Sequence, residues 1–164
     1  MFEVIETALW AAGIGIGATV ILDLWIAMGS RLMGISGPDW AMVGRWVGHM
    51  PSGRFVHDNI YQAPSVRGEL ALGWAVHYAT GVIYGWLLVV LWGVEWLREP
   101  SLLPPVLLLW LFLVAPYFVM MPGMGGGVAA SKSKHPNIER VKSVVGHSVF
   151  GLGMYLTAIA FNAL

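Results

Sequence analysis

The feature that most constrains this chain is an apolar stretch running from Leu70 to Val94, in which His77 is the single strongly polar side chain. A helix of about 25 residues crosses a hydrocarbon core about 30 Å thick, because each residue adds about 1.5 Å. An ionisable side chain at membrane depth costs free energy unless it has a partner or a function. The stretch therefore predicts a membrane-spanning helix over residues 70–96 with a polar group inside it that needs an explanation.

Three further apolar stretches predict the other spans of a four-helix membrane protein, at residues 7–28, 102–121 and 141–164. Only 11% of the residues are charged, and 57% are hydrophobic. A soluble domain carries about one quarter charged residues, so this composition is typical of an integral membrane protein. Pro116 inside the third span predicts a kink there, because proline cannot donate to the Phe112 carbonyl.

The long polar connection 29–69 contains a short amphipathic segment at residues 38–50. Its apolar side chains recur at helical spacing, which predicts a helix lying flat in the membrane interface. The predicted fold class is therefore all-α, with four transmembrane helices in a bundle plus this interfacial helix. Residues 1–164 form a single integral membrane domain in this interpretation.

The positions of lysine and arginine predict the orientation in the membrane. Four spans place both termini on one side and the connections 29–69 and 122–140 on the other. All nine basic residues except Arg98 lie in or beside these two connections: Arg31, Arg45, Arg54, Arg67, Lys132, Lys134, Arg140 and Lys142. The positive-inside rule makes the connections cytoplasmic and leaves both termini outside, and the basic loops would contact anionic lipid headgroups.

Several kinds of chemistry are excluded or unsupported by the sequence. The chain contains no cysteine, which excludes disulfides, thiolate metal sites and thiol catalysis. The glycine-rich run Gly123–Gly127 lacks the lysine and the spacing of a phosphate-binding loop, so a flexible connector is the simpler interpretation. Nothing indicates nucleic-acid recognition. No nucleophile–base pair is evident, so no enzymatic activity is assigned.

One polar residue from each span falls in a common layer. Counted from the predicted cytoplasmic ends, Asp23, His77, Tyr117 and His147 lie roughly 8–12 Å below the cytoplasmic surface. Since burial against partners is favoured over exposure to lipid, we expect Asp23, His77 and His147 to converge on one intramembrane site with Tyr117 at its edge.

Glycines accompany both intramembrane histidines. His77 is followed four residues later by Gly81 and preceded by Gly73, and His147 is followed four residues later by Gly151. Small residues at this spacing let a neighbouring helix approach closely. We therefore predict that Gly73, Gly81 and Gly151 lie at helix–helix contacts rather than against lipid.

Four interpretations of the intramembrane residues remain open. They could form a structural network that holds the helices in register, or a proton or substrate relay. Neutral imidazoles with a carboxylate also suit a transition-metal ion. A haem b could be held between His77 and His147. Secondary candidate ligands on the same side of the membrane are His49, His57, Met120, Met121 and Met124, although core packing is the alternative for the methionines.

The segments ATVILDLW, GRWVGHMPSGRFVHDNI, GELALGWAVHYATG, MPGMGGGVAAS and GHSVFGLGMY occur in this order. Together they resemble a family of small bacterial inner-membrane proteins known only as a domain of unknown function. The resemblance covers nearly the whole chain and implies a four-span protein of the bacterial inner membrane. In that membrane the outside termini predicted by the positive-inside rule are periplasmic. It implies no activity, and no catalytic residues can be transferred.

The sequence thus favours a protein that binds or transports a small ligand, with a transition-metal ion as the first choice. The alternatives are a haem-binding membrane redox protein and a structural subunit of a membrane complex or homo-oligomer.

Overall fold

The computed structural model describes residues 2–163. The predicted domain 1–164 and the predicted span 141–164 both include Leu164, which lies outside the described residues, as does Met1. Within residues 2–163 all regular structure is helical and no β-strand occurs, which confirms the all-α fold class. The helices are α1 (Phe2–Met33), α2 (Trp40–His49), α3 (Glu69–Trp92), α4 (Glu95–Arg98), α5 (Leu103–Leu111), α6 (Met121–Gly123) and α7 (Pro136–Asn162).

Four helical segments are long and apolar enough to cross a membrane: Glu3–Met33, Glu69–Trp92, Leu103–Gly123 and Pro136–Asn162. This confirms the four predicted membrane helices. The second ends earlier than the expected residue 96, because Gly93 adopts a φ of 85° and terminates α3. Trp96 consequently belongs to the short helix α4.

The third segment is interrupted as Pro116 predicts. The chain continues from Pro116 to Met120 as a π-helical turn that leads into α6. Because Pro116 has no N–H, it cannot donate the usual helical hydrogen bond to the Phe112 carbonyl. That carbonyl accepts instead from the Ala115 N–H at 3.0 Å. The kink therefore costs this carbonyl no hydrogen bond.

The chain divides into two compact units. The first unit comprises Met1–Gly37, Tyr78–Leu111 and Gly146–Leu164. Its helices meet at small residues: a Cβ on Gly81 of α3 would collide with the Thr19 hydroxyl of α1, and one on Gly151 of α7 would lie 3.0 Å from the Val106 Cα of α5. The largest fully buried side chains of this unit are Ile14, Thr19, Leu88, Pro105, Leu108, Leu109 and Met154.

The second unit comprises Pro38–His77 and Phe112–Val145. Asp39 caps α2, its side chain accepting hydrogen bonds from two backbone N–H groups of the first turn. Gly44 of α2 lies directly against the backbone of α3 at Glu69 and Gly73, and Gly73 in turn faces the Trp40 carbonyl. The two helix backbones therefore touch without intervening side chains. A small apolar core of Met42, Ile60 and Ala63 fills the space beside α2.

Candidate functional site

Two histidines of the second unit are hydrogen-bonded to each other. His49 is the last residue of α2, and His57 lies in the loop that follows. The His49 Nδ1 and the His57 Nε2 are 2.8 Å apart, and the His57 Nδ1 is 3.2 Å from the Gly123 carbonyl oxygen. His57 is only 3% exposed, while His49 is half-buried. The pair is thus a partly buried imidazole chain anchored at its buried end, His57, to the backbone.

These hydrogen bonds determine which nitrogen carries the hydrogen in each neutral imidazole ring. A carbonyl oxygen can only accept, so the His57 Nδ1 carries the hydrogen and its Nε2 presents a lone pair. That lone pair accepts from the Nδ1–H of His49, which leaves the lone pair of His49 on its Nε2. A backbone carbonyl bound to the far nitrogen is the arrangement that usually orients a metal-ligating histidine.

An ion pair holds the loop that carries His57. The Arg45 guanidinium of α2 makes two hydrogen bonds to the Glu69 carboxylate, at 2.8 and 2.7 Å. Arg45 also donates to the carbonyls of Ile60 and Ala63 at 3.3 and 3.2 Å. The hydrogen bonds that Arg45 donates to the Glu69 carboxylate raise the pKa of the Arg45 guanidinium above its usual value, so Arg45 stays charged. One cation therefore ties α2, the loop and the start of α3 together.

The glycine-rich segment supplies the other wall of the site. Backbone hydrogen bonds join the His57 N–H to the Gly123 carbonyl at 2.9 Å and the Ile60 N–H to the Met124 carbonyl at 3.0 Å. Gly125 has a φ of 93° and packs against the Asp58 carbonyl, where a side chain would not fit. The segment expected to be a flexible connector is instead bonded to the histidine loop, and its glycines allow that close approach.

The methionine candidates differ in their surroundings. Met124 packs against the apolar core of Met42, Ile60 and Ala63. Met120 and Met121 lie half-buried at the π-helical turn and the start of α6. The surroundings of Met124 are those of core packing, the alternative that the sequence left open for the methionines.

His77 stacks on an aromatic ring of helix α2. It is 9% exposed, and its ring lies 3.9 Å from that of Trp40 with an interplanar angle of 23°. Trp74, one turn earlier on α3, lies 5.8 Å from the same imidazole. The sequence did not predict this packing of His77 against two tryptophans.

Asp23 and Tyr117 also have partners that the sequence did not reveal. The Tyr78 hydroxyl donates to the Asp23 carboxylate at 2.9 Å within the first unit. The Tyr117 hydroxyl donates to the Arg140 carbonyl at 2.8 Å within the second unit. His147 lies half-buried on α7. The convergence of Asp23, His77 and His147 on one site stays a prediction.

The arrangement of possible metal ligands is limited. Within the part of the chain that the structure describes, no group of three or more histidine, aspartate or glutamate side chains could hold a metal ion. The His49–His57 pair therefore offers two imidazole nitrogens, and an ion bound there would complete its coordination from solvent or a transferred ligand.

Comparison with known proteins yields one result. The model of a family described as "Protein of unknown function (DUF2938)" matches residues 12–161 of the chain. No curated protein and no solved structure gives a significant match.

Proposed function

The chain belongs to this family, whose description names no activity, and from its own side chains we propose that it is a membrane protein that binds a transition-metal ion through histidines. The supporting observation is the hydrogen-bonded chain from Gly123 through His57 to His49. It presents a lone pair on a fixed, buried imidazole directly to a second imidazole, and imidazole is the commonest metal ligand in proteins.

The distance between the two nitrogens is close to what an ion needs. A tetrahedral zinc ion binds each histidine nitrogen at about 2.0–2.1 Å, which places two such nitrogens about 3.3 Å apart. In the structure they are separated by 2.8 Å with a proton between them. Replacing that proton by an ion requires a separation of only about half an ångström more, which rotation of half-buried His49 can provide.

The intramembrane residues form the second part of the proposal. Asp23, His77 and His147, with Tyr117 at the edge, would receive the ion within the membrane, which makes the function ion transport rather than storage. Asp23 accepts a hydrogen bond from the Tyr78 hydroxyl, and the His77 ring stacks on Trp40. Ionisable side chains within membrane helices cost free energy, so their presence supports a functional role.

The proposed orientation in the membrane and the lipid contacts follow from the basic residues of the connections 29–69 and 122–140. In this proposal the protein lies in the bacterial inner membrane with both termini in the periplasm, and its basic loops meet anionic lipid headgroups of the cytoplasmic leaflet. The His49–His57 pair then lies on the cytoplasmic side, where it would exchange ions with cytoplasmic carriers.

A structural role is the second candidate, and a specific observation favours it. Both nitrogens of His57 already bond to groups of the chain itself, and Met124 packs against the apolar core. In that case the histidines fasten the loop and the glycine-rich segment, and the protein would contribute to a membrane complex or homo-oligomer without binding an ion.

The deciding experiment is elemental and optical analysis of the full chain purified in mild detergent, followed by titration with zinc, copper(I) and nickel. We expect one ion per chain, and its loss in His49→Ala and in His57→Ala. His135→Ala is the matched control, because His135 is exposed in another loop and should keep the ion. A parent protein that binds none of these ions would establish the structural alternative, and a Soret band would establish haem.

Transport in proteoliposomes separates the two parts of the proposal. His77→Ala and His147→Ala should fold and still bind the ion at His49 and His57, but they should no longer carry it across the membrane. If the parent protein carries no ion, or if both variants carry it like the parent, the intramembrane transfer step is wrong and the ion site is confined to the second unit.

A further inference from the structure

A cleft of about 780 Å³ lies within the first unit. It is lined by the first turns of α1, the last two turns of α3 and the residues that follow α3, with Asn162 at the end of α7. Its walls are apolar and open: Val90 is 76% exposed and Trp86 is 46% exposed. A cleft of this volume can take a large part of an amphiphilic molecule.

Two tryptophans of the cleft are held in place by the chain. The Trp86 indole N–H donates to the Ala8 carbonyl at 3.0 Å, which links α3 to α1. The Trp10 ring packs edge-on against Phe161 of α7, with centroids 5.5 Å apart. Tryptophan is enriched where a membrane protein meets lipid headgroups, so the apolar walls lie at the boundary between acyl chains and headgroups.

Charged groups of both signs line the same cleft. Glu3 and Glu6 contribute two carboxylates from the start of α1, and Arg98 contributes a guanidinium. Arg98 donates to Glu95 at 3.2 Å, but both side chains are 75% exposed, so this pair is easily exchanged for another anion. Apolar walls next to opposite charges match a molecule with an acyl chain and a zwitterionic headgroup.

We propose that this cleft binds one phospholipid with a primary ammonium headgroup, such as phosphatidylethanolamine. The ammonium donates hydrogen bonds to the Glu3 and Glu6 carboxylates, the phosphate accepts from Arg98, and an acyl chain covers Val90 and Trp86. An anionic headgroup would meet two carboxylates of its own sign. A quaternary ammonium has no hydrogen to donate, so phosphatidylcholine would bind less well. The proposal concerns the first unit alone and does not depend on ion binding.

The test is lipid retention. The full chain is reconstituted into nanodiscs with equal amounts of phosphatidylethanolamine, phosphatidylglycerol and phosphatidylcholine, extracted in mild detergent, and weighed with its bound lipids by native mass spectrometry. We expect about fivefold more phosphatidylethanolamine than phosphatidylglycerol on the protein, the ratio that a few exposed charge contacts can produce. A double variant, Glu3→Gln with Glu6→Gln, should bind the two lipids equally.

Two controls keep the test decisive. Glu99→Gln removes an exposed carboxylate of the neighbouring turn that does not line the cleft, and it should retain the parental ratio. Val90→Trp fills the cleft at an exposed position and should lower phosphatidylethanolamine retention even if the double glutamine variant fails to fold. The proposal would be overturned by lipids retained in the input ratio by the parent, by a preference that survives the double variant, or by parental phosphatidylethanolamine retention in Val90→Trp.

Discussion

Gly44 and Gly73 allow the backbones of α2 and α3 to touch, and an alanine at either position is expected to push the helices apart. A Cβ on Gly44 would collide with the Glu69 carbonyl oxygen and lie 2.6 Å from the Gly73 backbone nitrogen, whereas ordinary contact begins at 3.4 Å. A Cβ on Gly73 would collide with the Trp40 carbonyl. Because these obstacles are backbone atoms, no change of rotamer can make room for the methyl group.

The magnitude follows from two opposing effects. Overpacking costs about 1–3 kcal/mol, and a backbone obstacle belongs at the upper end of that range. The higher helix propensity of alanine offsets this cost by about 1 kcal/mol relative to glycine. Relief of the collision takes a shift of more than about 0.8 Å, because the Glu69 carbonyl oxygen lies closer to the added Cβ than the Gly73 nitrogen does. Such a shift also weakens the neighbouring van der Waals contacts by a quarter or more, including the stacking of Trp40 on His77. We expect Gly44→Ala to lower the free energy of unfolding by about 2 kcal/mol.

The assay is thermal unfolding in mild detergent, in which about 2 kcal/mol corresponds to a melting temperature lower by about 4–8 °C for a chain of this size. Gly146→Ala is the control, because no atom lies within 4 Å of its added Cβ and the helix gains propensity. That variant should melt at the parental temperature or slightly above. If Gly44→Ala and Gly73→Ala melt as high as Gly146→Ala, the direct contact of the two backbones does not exist.

Two further predictions concern packing and orientation. Gly81→Leu and Gly151→Leu should each lower the melting temperature strongly, because both glycines face another helix. Gly146→Leu should have little effect, because no atom lies within 4 Å of a Cβ added there. Equal melting of all three variants would contradict this packing. A periplasm-active reporter fused after Leu164, outside the described residues, should be active and a cytoplasm-active one inactive. The opposite pattern would reverse the topology and place the His49–His57 pair on the periplasmic side.

Helix number and membrane character could be predicted from the sequence because they depend on local properties. The length of an apolar run and the spacing of its side chains are properties of one segment, so the four long apolar helices and the amphipathic helix α2 follow without knowledge of their neighbours. Pro116 likewise predicts an interruption because it removes a donor from its own helix. Only the helix ends differ from the prediction. At Gly93 the cause is a positive φ, which the apolar run around it does not indicate.

Only part of the candidate site could be predicted from the sequence. Histidines were selected as a residue type, but no spacing rule relates His49 to His57 across a turn and a loop, or either of them to the Gly123 carbonyl. That pairing depends on the loop being held by Arg45, whose carboxylate partner Glu69 lies 24 residues away in the chain. Tertiary structure decides such contacts because they form only when separate segments are brought within hydrogen-bonding distance, and the glycines at the helix crossings set how close those segments can come.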